Sequence, residues 1–190
     1  MNITEDIARL LVSVKRSGEG NLLINIGRVD SEIQTNFLSK YLKEINPANI
    51  LETGTNSGCF SILVKETLGK RNIHTFGIDE WSEECINKIH EHYGEKFINF
   101  YVGNSLQTLS NFSLEEKIDF AWVDGGHEFN VATSDLKNCQ RLNIKNIFVD
   151  DYNYITSVRN AVDNFVSISE YIIADLSIDE RGVVYLKARP

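Results

Sequence analysis

The stretch that most limits how this chain can fold is Ile50 to Asp79. It opens Ile50-Leu51-Glu52-Thr53-Gly54-Thr55-Asn56-Ser57-Gly58-Cys59-Phe60 and closes His74-Thr75-Phe76-Gly77-Ile78-Asp79. An apolar run enters a loop with glycines four apart, a helical pattern runs from Cys59 to Leu68, and a second apolar run ends on an acid. That pattern predicts a strand, a tight turn, a helix and a second strand. Gly54 lets the chain leave the strand with positive φ, and Gly58 lets backbone lie close to a ligand at the helix start.

The acid ending the second strand stands 25 residues after Gly54 (79 − 54). Nucleotide-binding α/β units place a carboxylate on ribose hydroxyls at about that distance. The residues therefore point to a nucleoside cofactor. A dinucleotide site wants G-x-G-x-x-G, so that backbone can approach a pyrophosphate; here residue 56 is Asn, and Glu52 precedes the first glycine by two. A carboxylate there repels a pyrophosphate and attracts an ammonium or sulfonium. The loop suits S-adenosylmethionine (SAM) better than NAD.

Along the rest of the chain, helical spacing predicts an amphipathic helix over Ile3 to Val14 and a second over Ser31 to Ile45, capped by Asp30 or Ser31 and ended by Pro47. Strands are expected at 49–53, 74–79, 97–102, 118–123, 146–149, 171–176 and 182–186. Helices are expected at 59–68, 83–93, 106–109, 129–142 and 157–167. Such alternation implies a mostly parallel Rossmann-like sheet of seven strands with helices on both faces. The last two strands are separated by only Ser177 to Arg181, too few residues for a crossover, so they pair antiparallel. The expected organisation is one domain over 1–190, with N-terminal helices over 1–46 and a cofactor-binding core over 47–190.

The net charge of −8 argues against a nucleic-acid partner, because phosphate tracking rests on clustered Lys and Arg. No apolar stretch reaches membrane-spanning length, and Glu5 and Asp6 spoil the start of a signal peptide. A cytoplasmic protein with no membrane partner is expected. Cys59, Cys85 and Cys139 are odd in number and lack a C-x-x-C pair, so they read as small apolar residues. His90 and His92, two apart, point to different faces of a helix and read as surface residues. Trp122 reads as core.

With these motifs placed, the chain resembles the class I SAM-dependent methyltransferases, whose seventh strand is inserted antiparallel. Its second half resembles the small metal-assisted O-methyltransferases, the branch of catechol and natural-product sugar enzymes. The resemblance rests on Ile118-Asp119-Phe120-Ala121-Trp122-Val123-Asp124-Gly125-Gly126-His127, on Ile147-Phe148-Val149-Asp150-Asp151-Tyr152, and on Arg159 to Phe165. It implies that Glu52, Gly54, Asn56, Gly58 and Ser61 hold the methionine end of SAM and that Asp79 takes the ribose. Glu80 or Trp81 would border the adenine, and Asn104 and Ser105 would reach its edge. Where the branch has a Gly-Gly turn before the fifth strand this chain has Asn143-Ile144-Lys145-Asn146, and Asn tolerates the positive φ.

Neighbouring strands four and five would bring Asp124, Asp150 and Asp151 together beyond their carboxyl ends. Carboxylates about 4 Å apart repel by roughly 4 kcal/mol at an effective dielectric of 20. Either one takes a proton or a cation sits between them; Mg²⁺, Mn²⁺ or Ca²⁺ suits an all-oxygen set. Such an ion would lower the pKa of an acceptor hydroxyl. His127, three residues after Asp124, is placed to act as general base, since histidine ordinarily titrates near neutrality. The expected acceptor is a hydroxylated small molecule. The chain offers no sizeable insertion to cap it, so specificity is expected from the first two helices, the first of them a lid or packing helix, from the Trp81 and Tyr152-to-Ile155 loops, or from a homodimer partner. The remaining uses of these residues are helix capping by the aspartates and a structural role for His127.

Overall fold

The computed structural model describes residues 32–78 and 80–190, without the side chains of Glu32, Glu80 and Trp81. The helix expected over Ile3 to Val14 and the Asp30 or Ser31 cap lie outside these residues. The strands are β1 (Asn49–Thr53), β2 (Asn72–Gly77), β3 (Ile98–Val102), β4 (Phe120–Val123), β5 (Asn146–Val149), β6 (Tyr171–Leu176) and β7 (Val184–Ala188). The helices are α1 (Glu32–Ile45), α2 (Cys59–Leu68), α3 (Glu80–Tyr93), α4 (Ser105–Thr108), α5 (Phe129–Arg141) and α6 (Thr156–Ile168). The seven strands form one sheet in the order β3-β2-β1-β4-β5-β7-β6. Strands β1 to β5 pair in parallel, and β7 is antiparallel to both β5 and β6.

Buried strands have apolar side chains on both faces, and each face needs its own helical cover. Ile50, Phe120, Trp122 and Phe148 face one cluster, with Leu38 and Leu42 of α1, Phe60 and Leu63 of α2, and Ile86 and Ile89 of α3. Leu51, Ala121, Val123, Ile147 and Val149 face the other, with Leu136 of α5 and Val158, Val162 and Phe165 of α6. A ladder of rings crosses the first face: Phe120 stacks on Phe148 with centroids 4.5 Å apart, and Phe148 on Tyr185 at 4.4 Å. Trp122 is core as expected, stacked on Phe60.

Most elements keep their expected extents to within one residue, but α3 begins three residues early, at Glu80, β4 begins two late, at Phe120, and β2 and β7 both shift. Strand β2 begins at Asn72 and ends at Gly77 rather than running from His74 to residue 79, because Asn72 and His74 join a polar ladder: Asn72 Nδ2 donates to Asn49 and contacts His74. The last strand starts at Val184 rather than Gly182, because the preceding turn is fastened elsewhere. Asn143 takes φ +59° in the turn before β5, as expected. His90 is not a simple surface residue: its Nε2 accepts from the backbone N–H groups of Phe97 and Ile98 at 3.3 and 3.2 Å. Burial lowers its pKa, which keeps it an acceptor. No helix among the described residues is long and apolar enough to cross a membrane.

The strand order reverses between β1 and β4. In open α/β sheets the crevice outside the carboxyl ends at such a reversal is where ligands bind.

Candidate active site

Gly54 marks that crevice. It leaves β1 at φ +88°, and a Cβ there would lie 1.8 Å from the Asp124 carbonyl oxygen. The loops after β1 and β4 therefore touch backbone to backbone, and only glycine permits it. Asn56 also has positive φ, +43°. Gly58 also has a packing role: at φ +80°, its missing side chain faces Ile89 Cδ1 at 2.6 Å, so helix packing as well as turn geometry excludes a Cβ. No side chain caps the start of α2.

Glu52 lies under this loop. It is 1 % exposed, and Ser61 Oγ donates to its Oε2 at 3.1 Å. Burial pushes its pKa up to about 7, against hydrogen bonds from Thr75 and Ser61 that pull it down. A buried carboxyl half-ready to ionise is suited to a cationic ligand, which would replace the water it has lost.

Asn104, expected from the resemblance to reach the adenine edge, caps α4, its Oδ1 accepting from Leu106 N at 2.9 Å. Ser105 helps to lower the pKa of Asp135, which burial nonetheless raises to about 6. Asp135, fully buried on α5, stands 2.9 Å from where a Gly125 Cβ would be and supports the β4 loop. Sequence reading missed it, though an acid on the apolar side of α5 was the available signal. Asp79 lies outside the described residues, as do the side chains of Glu80 and Trp81.

At the end of β4 and β5 the acids converge, with a regrouping. The ligating atoms of Asp124, His127 and Asp151 lie within 4.8 Å of one another; His127 joins the group in which Asp150 was expected. Asp151 has φ +61°, which breaks the strand's alternation and lets two successive carboxyls face one mouth. His127 Nε2 lies 3.2 Å from Asp151 Oδ2. The further member is Arg181, from the turn between β6 and β7, whose guanidinium stands 2.5 Å from Asp151 Oδ1 and 3.9 Å from Asp150 Oδ2. None of these pairs is aligned as a hydrogen bond; they are charge contacts. Gln34 of α1 reaches across the mouth, its Nε2 donating to Asp150 Oδ1 at 3.3 Å and to Asp179 Oδ1 at 3.2 Å.

The two carboxyls divide their protonation. Burial, then the charge on Asp151, pushes Asp150 well up. Burial would raise Asp151 too, but His127 and Arg181 outweigh it and hold its carboxyl below the usual range. Both forms of relief that the sequence left open, a proton and a cation, are present. The donors Asp124, His127 and Asp151 would suit a divalent ion, and the Arg181 guanidinium stands against one of them, Asp151.

The sheet order, with a glycine turn over a buried acid and a second acidic mouth one strand away, is that of an open α/β sheet with a ligand crevice at its switch point. A family model described as a methyltransferase domain matches residues 51–152, more than half of the chain, and the chain belongs to that family. Its solved neighbours share the fold. An SAH-bound methyltransferase from Podospora anserina aligns at 13 % identity and TM-score 0.77, covering 100 % of this chain and 89 % of its own. An O-methyltransferase from Bacillus cereus in complex with SAH aligns at 15 % and 0.74, covering 100 % and 91 %. The O-methyltransferase TomG from Streptomyces achromogenes, involved in tomaymycin synthesis and in complex with SAM, aligns at 14 % and 0.74, covering 100 % and 91 %. No curated protein sequence matches the chain.

Proposed function

We propose that this protein transfers a methyl group from SAM to a hydroxyl oxygen of a small molecule. The observation that carries the reading is the placement of buried Glu52 beneath the Gly54 turn, one strand away from the His127–Asp151 contact. Solved neighbours bound to SAM or SAH support the same choice of cofactor.

In this reading Glu52 receives the ammonium of the methionine end, and Gly54, Asn56, Gly58 and Ser61 shape the loop around it. Asp79 takes the ribose hydroxyls, and Glu80, Trp81, Asn104 and Ser105 frame the adenine. Asp151, kept ionised, sets its charge against the Nε2 side of His127, which leaves Nδ1 to accept the proton of the acceptor hydroxyl. Asp124 borders the same opening and orients that hydroxyl. The oxygen attacks the sulfonium methyl carbon; the O–C bond forms as the C–S bond breaks, and the electron pair returns to sulfur as a neutral thioether. Holding oxygen, carbon and sulfur in line can contribute about 7 to 11 kcal/mol.

The net charge of −8 favours a small hydroxylated acceptor over nucleic acid, and the three free cysteines favour a cytoplasmic setting. A homodimer partner could add to the cover of the substrate opening. The test is calorimetry with SAM and with NADH, followed by mass spectrometry of a panel of phenols, sugars and polyketides incubated with SAM. Binding of SAM and a mass gain of one methylene on a hydroxylated acceptor are expected. Binding of NADH without SAM would overturn the reading.

A further inference from the structure

The branch that the chain resembles is assisted by a divalent ion, and in this chain the Arg181 guanidinium faces Asp151, one of the residues expected to hold it. We infer that the Arg181 guanidinium takes the place of that ion, so that the site carries its own fixed cation and methyl transfer needs no metal. The inference rests on the proposed transfer reaction for its role, but not for its geometry.

Arg181 is not a loose surface side chain. The turn that bears it is fastened to the segment after β5 by three backbone bonds: Tyr152 N to Gly182 O at 3.0 Å, Asn153 N to Arg181 O at 2.8 Å and Tyr154 N to Arg181 O at 3.2 Å. Asp179 Oδ1 closes the turn by accepting from the N–H groups of Arg181 and Gly182 at 3.1 and 2.9 Å. Gly182 has φ +74°, and a Cβ there would lie 2.4 Å from Asn153 Nδ2, so the two segments meet without space for a side chain. The guanidinium also lies 5.8 Å from the centre of the Tyr154 ring. Its side chain is 28 % exposed while both aspartates are 1 % exposed, so the cation reaches inward from the rim onto buried carboxylates.

An ion held by Asp124, His127 and Asp151 must share Asp151, whose Oδ1 already faces the guanidinium at 2.5 Å. A guanidinium never gives up its proton and is weakly hydrated, which suits it to a partly buried ion pair. It cannot act as a Lewis acid, but its fixed charge stabilises an oxygen that becomes negative beside it. It also occupies one side of Asp151 while His127 occupies the other, which leaves the histidine free to serve as base.

The test compares wild type with Arg181→Ala and Arg181→Lys. Manganese titration read by electron paramagnetic resonance needs no turnover, and SAM calorimetry on the same samples tests the cofactor site separately. Wild type is expected to bind Mn²⁺ at least about tenfold more weakly than Arg181→Ala, because removing the guanidinium removes the repulsion. Arg181→Lys keeps the charge and should stay weak. Turnover of wild type should be unchanged by EDTA, whereas turnover of Arg181→Ala should fall and recover with Mg²⁺ or Mn²⁺. Tight Mn²⁺ binding by wild type, or wild-type turnover lost to EDTA and restored by Mg²⁺, would overturn the inference, and both read on the unmodified protein even if a variant fails to fold. Failure of SAM to bind, with the manganese result as expected, would sink the transferase reading and leave the cation assignment standing.

Discussion

Glu52→Gln isolates the energetic consequence of burying an acid in the first strand. In the folded protein the Glu52 carboxyl holds its proton up to about pH 7, against 4.5 ordinarily. At about 1.4 kcal/mol for each pH unit, that rise amounts to about 3 kcal/mol. The folded-state pKa is raised, so the contribution to stability is fully present below pH 4.5 and is lost as pH rises through 7. Asp150 and Asp135 titrate in the same direction, but they are common to both proteins and cancel in the difference. Urea unfolding of the cofactor-free protein at pH 5 and pH 8.5 should therefore show wild type losing about 3 kcal/mol relative to Glu52→Gln between the two conditions. The variant should also bind SAM more weakly, since an amide does not neutralise an ammonium. Parallel stability profiles for the two proteins would refute the reasoning, because they would mean that Glu52 ionises inside the fold at no cost.

Binding of SAM should tighten as pH rises towards 7, by about tenfold per pH unit below that value, because the ammonium requires ionised Glu52; calorimetry in buffers of different ionisation heat should register about one proton released at pH 6, and none in Glu52→Gln. Gly54→Ala drives a methyl group into the Asp124 carbonyl at 1.8 Å, so a stability loss of about 1 to 3 kcal/mol and loss of SAM binding are expected, read by thermal unfolding and calorimetry. His127→Ala should lower methyl transfer by about 10² to 10⁴-fold while SAM affinity stays within about twofold; a matching loss of affinity would make the residue structural rather than a base.

The two neighbouring aspartates explain why this mouth can be acidic and still fold. Two ionised carboxyls would repel, yet burial and the charge on Asp151 push the Asp150 pKa up while His127 and Arg181 hold that of Asp151 down. Gln34 then ties Asp150 to α1 and to Asp179 of the final turn. The first helix, the fifth strand and the last hairpin are thus joined at a single polar cluster.

What could be read along the chain is what depends on near neighbours. Short continuous apolar runs specify strands buried on both faces, the glycine at 54 specifies a left-handed turn, and five residues between the last strands leave them only one way to pair. The order of Glu52, Asp124, His127, Asp150 and Asp151 along the strand ends follows from that local pattern. Which of them meet does not. Gln34 and Asp150 are 116 residues apart, Arg181 approaches Asp151 only because a hairpin turn docks on the loop after β5, and Asp135 supports the β4 loop from a helix whose periodicity concealed it. Periodicity records which way a side chain leaves its own segment; the partner it finds is set by how distant segments pack. For that reason the fold class and the acidic character of the site lie in the sequence, while the cation that balances those acids emerges only from the tertiary structure.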